Sequence, residues 1–94
     1  MSTTNELLIP PQALADPGSI EILRVWIANG EQAFSLQPHW QDPAAWGLLL
    51  ADLARHVAVA YSQEKAFDKS RTLERILEGL RAELEAPTDV PSGS

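Results

Sequence analysis

The 94-residue sequence predicts an α+β domain in which a β-hairpin packs against a long helix followed by an amphipathic C-terminal helix (ββαα), preceded by an N-terminal extended strap. Three observations lead there. Asn29-Gly30 sits between two short runs rich in apolar residues, the strongest local signal for a hairpin. Asp42-Pro43 opens a long apolar stretch with helical character. Leu73, Ile76, Leu77, Leu80 and Leu84 then recur at intervals of three and four before Pro87. The expected organisation is one domain over 7–88, with 1–6 and 89–94 as flexible polar termini.

Leu7-Leu8-Ile9-Pro10-Pro11 is apolar, but its proline pair removes ladder donors, so it reads as a strap leading into a short turn over Gln12 to Leu14. Asp16-Pro17-Gly18-Ser19 has the chemistry of a type II turn, proline second and glycine third. A strand is expected directly after it, from Ile20 to Ala28, with a return strand from Gln32 to Gln37. With Asn29 and Gly30 as the two loop residues, Val25 stands opposite Phe34 and Leu23 opposite Leu36, which makes one face apolar. The other face carries Ile22, Arg24, Trp26, Ala33 and Ser35. A two-stranded hairpin is marginal alone and must pack on a helix, recruit the strap, or pair with another chain.

Pro38-His39-Trp40-Gln41 ends the second strand, and Asp42 offers an N-cap acceptor ahead of Pro43, whose missing N–H costs nothing at the first helical position. In the helix that follows, Trp46, Leu49, Leu50, Leu53, Val57, Ala60 and Tyr61 form one broad apolar stripe. Gly47, Ala51, Ala54 and Ala58 form a second stripe of small residues, which lets another helix approach closely, either the last helix or a second subunit. A helix this apolar wants partners on more than one side, and a chain this short has few to offer. Self-association is therefore expected, with Trp26, Gly47, Ala51, Ala54 and Ala58 as candidate interface residues. The last helix begins at Asp68 or Ser70 and runs to about Ala86; its charged positions include the pairable Glu78, Arg81 and Glu85.

Thirteen acidic against seven basic side chains give a net charge of -6, which repels nucleic-acid backbones unless the basic residues cluster, and they do not. No nucleic-acid partner is expected. With no cysteine there is no disulfide or thiolate chemistry. The N-terminus lacks a basic and apolar leader, and Asp52 and Arg55 interrupt the apolar helix, so the expectation is a cytoplasmic protein without a membrane partner.

Three groups of residues are candidate sites. Asp52 and His56, one turn apart, could share a metal, but a third ligand would have to be His39 or Asp42, about 20 Å away along the helix; no metal is assigned. His39, Trp40 and Trp46, with Arg24 nearby, could line a small-molecule pocket, although aromatic residues beside a helix cap more often close the end of a core. Lys65, Lys69 and Arg71 are interleaved with Glu64 and Asp68 and read as a solvated linker. No phosphate loop, nucleophilic triad or close carboxylate pair is present, so no catalytic residue and no cofactor is assigned, and the reading leans away from an enzyme.

Arg24-Val25-Trp26-Ile27, Asp42-Pro43-Ala44-Ala45-Trp46-Gly47 and Leu53-Ala54-Arg55-His56-Val57-Ala58 together resemble a family of small, single-domain bacterial proteins known only as a domain of unknown function, about 90 residues long. The resemblance covers roughly residues 9–88 and implies a bacterial cytoplasmic protein. The favoured reading is a small structural or protein-interaction module, a homo-oligomer expected as a homodimer, that could also take a protein partner. The competing reading is a ligand-binding or enzymatic pocket at the His39, Trp40, Trp46 corner.

Overall fold

A computed structural model of the chain describes residues 5–87. Its elements follow the order α1 (Pro11–Ala15), β1 (Leu23–Ala28), β2 (Glu31–Leu36), α2 (Ala44–Lys65) and α3 (Lys69–Glu85). The architecture is thus a β-hairpin followed by two helices, as the sequence predicts, with a short helix ahead of the hairpin. Two compact units divide after Gln41. The flexible ends expected at 1–6 and 89–94 fall outside the described residues, apart from Asn5 and Glu6.

In the first unit, residues 5–10 carry no regular structure and lead into α1, whose first residue is Pro11, where a missing N–H costs nothing. The turn at Asp16 to Ser19 closes with a 3.0 Å bond from the Ser19 N–H to the Asp16 carbonyl. It is not the expected type II turn, because Gly18 does not take the left-handed conformation that such a turn needs. Instead the Asp16 carboxylate accepts the Gly18 N–H at 2.9 Å, the local side-chain bond at which aspartate excels.

β1 and β2 pair antiparallel around Asn29 and Gly30, both at positive φ (54° and 75°), the signature of a type I′ hairpin. The register is the expected one: Val25 opposite Phe34, Leu23 opposite Leu36, Trp26 opposite Ala33. β1 starts at Leu23 and not at Ile20, because its partner runs out. The Gln37 N–H makes the last rung to the Ile22 carbonyl at 2.9 Å, and Pro38 follows, after which the His39 N–H turns back to the Gln37 carbonyl at 2.8 Å.

The second unit is a helical hairpin. The Asp42 carboxylate accepts the Ala44 N–H at 3.0 Å, and Pro43 already has helical dihedrals, so Asp42 performs the capping role its sequence position suggests. α2 ends at Ala66, held in the left-handed conformation (φ 57°), whose N–H returns to the Tyr61 carbonyl. Two residues later the Asp68 carboxylate caps α3 by accepting the Arg71 N–H at 2.9 Å. So short a connection makes α2 and α3 antiparallel neighbours.

Their seam lies on the small-residue stripe, with the last helix as the neighbour, one of the two expected for it: the one buried side chain among the described residues is Ala58, 1% exposed. Leu50, Leu53 and Tyr61 of the broad stripe stay exposed. Ala54 and Val57 of α2 and Leu73, Ile76 and Leu77 of α3 are half-buried beside it. Small side chains let two helices approach, and α3 takes that opportunity. An ion pair on α3 joins Arg75 to Glu78 at 2.6 Å, a pair not among the expected Glu78, Arg81 and Glu85. Arg75 and Glu78 are three residues apart, as close on the helix surface as the pairs expected, so spacing alone did not select among them. No described helix is long and apolar enough to cross a membrane.

Candidate functional site

The largest unassigned resource of this molecule is open apolar surface. In the first unit Val25 and Phe34 are 50% and 59% exposed, and Ile20, Ile27 and Leu36 are open as well. Every residue of β2 is exposed. In the second unit Leu48, Leu50, Leu53, Leu80 and Leu84 all remain accessible. The strap residues Leu7 and Leu8 are almost fully so. Scattered exposed leucines need no explanation, but an apolar hairpin face in which facing residues are open together does.

The other face of the hairpin is a contrast, because its arginine is fully engaged. The Arg24 guanidinium bonds the Glu21 carboxylate through Nε at 3.1 Å and Nη2 at 3.0 Å, and Nη1 reaches Glu6 Oε2 at 2.9 Å. It also lies 6.0 Å from the centre of the Trp26 ring. The hydrogen bond and charge of Glu21, reinforced by Glu6, hold the Arg24 pKa above the ordinary arginine value. Trp26 is half-buried there. Between the strap and β1 runs a groove of about 600 Å³, walled by Leu7, Leu8 and Ile9 on one side and Leu23 and Val25 on the other. Sequence reasoning missed both the groove and the Glu6 contact. The apolar run Leu7-Leu8-Ile9 was the available signal, but eighteen residues separate Glu6 from Arg24 and no local pattern links them.

The remaining candidates are placed as follows. His39 and Trp40 meet edge to face, ring centres 5.5 Å apart. Trp46 occupies the first turn of α2 and is half-buried. Of the small-residue stripe, Ala58 and Ala54 belong to the α2–α3 seam, while Gly47 and Ala51 are exposed. The Asp52 carboxylate bonds Arg55 at 2.9 Å, and the His56 ring bonds the Asp52 backbone carbonyl, not its carboxylate, at 2.8 Å. Asp52 and His56 thus engage other groups and do not face one another as a ligand pair.

Comparison with known proteins gives three findings. The model of a family described as "Domain of unknown function (DUF5076)" matches residues 6–88. A protein from the photosynthetic bacterium Rhodopseudomonas palustrus CGA009, provisionally described as a pyruvate dehydrogenase, has a solved structure similar to this chain. The two share 35% sequence identity with a TM-score of 0.79, over 100% of this chain and 97% of that one. Among curated proteins nothing matches.

Proposed function

We propose that this chain, which belongs to the DUF5076 family of domains of unknown function, works as a small cytoplasmic interaction module whose functional form is a homodimer. One observation carries the reading: Val25 and Phe34, which face one another across the hairpin, are both half or more exposed, and among the described residues Ala58 alone is buried. An apolar face left open in this way marks an interaction surface.

The exposed Val25 and Phe34 side of the hairpin is the first candidate for that contact, and the Gly47 and Ala51 side of α2 is the competing one. The pyruvate dehydrogenase description stays with the Rhodopseudomonas relative. In this chain three of the candidate side chains are engaged: Arg24 with two glutamates, Asp52 with Arg55, His56 with a helix carbonyl.

Light scattering on the purified chain tests the proposal. The expected mass is twice 10.3 kDa at micromolar concentration. A protein that stays monomeric at millimolar concentration refutes it.

A further inference from the structure

We infer that the second copy joins along the outer edge of β2, so that two hairpins form one four-stranded antiparallel sheet about a two-fold axis passing beside Phe34. The inference rests on the self-association reading and names the surface that it uses.

The backbone geometry sets the argument. A two-residue hairpin loop makes Ala28 and Glu31 a pair that exchanges both hydrogen bonds, and such pairs alternate along the ladder. Trp26 with Ala33 and Arg24 with Ser35 are therefore bonded pairs too, consistent with the 2.9 Å bond from Gln37 to the Ile22 carbonyl. It follows that the N–H and C=O groups of Gln32, Phe34 and Leu36 point away from β1. β1 and β2 make up the whole of the sheet among the described residues, and β2 is exposed along its full length. The opposite edge differs, since the strap runs along β1, fastened by Glu6 to Arg24 at 2.9 Å.

Edge strands are normally protected by lysine, proline, a bulge or an inward charge. β2 reads Glu-Gln-Ala-Phe-Ser-Leu, pairs without a bulge, and carries its single charge at the turn end. It is therefore a template for another strand, and a second β2 fits it. With Phe34 opposite Phe34 of the second copy, Gln32 falls opposite Leu36, so all three outward residues of each strand are engaged. Glu31 then faces Gln37, an uncharged amide, so that two chains each of charge -6 meet without opposing like charges. The apolar faces of both hairpins become continuous through the two phenylalanines, an aromatic cross-strand pair. Two strands become four, past the three that a sheet with an apolar face needs for independent stability.

The absence of cysteine makes the test direct. Gln32→Pro removes an outward N–H from each strand and leaves the hairpin's own ladder intact. It is expected to raise the dimer dissociation constant roughly 30-fold, about 2 kcal/mol, with an unchanged circular dichroism spectrum. Independently, Phe34→Cys places two thiols about 5.5 Å apart by Cα in the bonded pair, and mild oxidation is expected to give a covalent dimer. If the native chain is dimeric, Gln32→Pro dissociates no more readily, and Phe34→Cys stays uncrosslinked, this edge is not the junction, although self-association stands. A native chain that is monomeric overturns both.

Discussion

Val25 stands directly across the hairpin from Phe34, and half or more of each side chain is open to solvent. Facing apolar residues on a strand pair attract one another modestly, but they leave this face wet in a single chain. Val25→Thr discriminates between a wet face and a covered one. The substitution keeps shape and adds a hydroxyl, which costs about 1–2 kcal/mol where the group is buried without a partner and close to nothing in water. Urea denaturation at 100 μM chain should show the loss. A change below about 0.3 kcal/mol would mean that the Val25 face stays solvated in the functional form.

Ala66 ends α2 at φ 57°, a conformation that costs a residue with a Cβ about 1–2 kcal/mol and glycine almost nothing. Ala66→Gly is therefore expected to stabilise the helical hairpin by about 1 kcal/mol, the gain being partly offset by the greater freedom of glycine in the unfolded chain. For a domain of this size that raises the melting temperature by roughly 4–8 °C. A lowered melting temperature would show that the left-handed cap is not where α2 ends.

At the next turn Asp68 supplies the acceptor for the Arg71 N–H. Asp68→Ala should cost about 1 kcal/mol and Asp68→Asn much less, because asparagine keeps a capping oxygen. Hydrogen exchange would localise the effect to the first turn of α3, with α2 unaffected. Equal losses in both variants would assign the role of Asp68 to its charge and not to its hydrogen bond.

These caps and the type I′ loop are the parts of the fold most legible in the sequence, and the reason is range. Asn29-Gly30, Asp42 and Asp68 act on backbone groups within three residues of themselves, so their chemistry is complete in a short window. The departures have non-local or competing causes. β1 loses its first residues because Pro38 cuts off its partner. The turn at Gly18 changes type because the Asp16 side chain competes for its N–H. Ala58 holds the buried position because closeness of approach decides a two-helix seam; the small-residue stripe was legible, but whether the last helix or a second copy would take it was not. The Glu6 bond to Arg24 spans the strap and turn and leaves no pattern to read. The open apolar surface was legible as an excess of greasy positions, whereas its distribution over hairpin edge and helix face required coordinates.

Gly47 and Gly79 offer a paired measurement that separates the two open surfaces. Both are helical, and a Cβ added at either meets nothing within 4 Å. Replacing each with alanine should therefore stabilise its helix by about 0.8–1 kcal/mol through propensity alone. Gly79 sits among the charged positions of α3, so Gly79→Ala gives the propensity gain without involving the small-residue stripe. Gly47 lies on that stripe, where the added methyl group would obstruct any helix of a second copy packed against it. Because the β2 edge is the inferred junction, Gly47→Ala is expected to match Gly79→Ala in stability and to leave the dimer dissociation constant unchanged. If Gly47→Ala weakens the dimer tenfold or more while Gly79→Ala does not, the small-residue side of α2 is the contact, and the hairpin edge is relieved of that role.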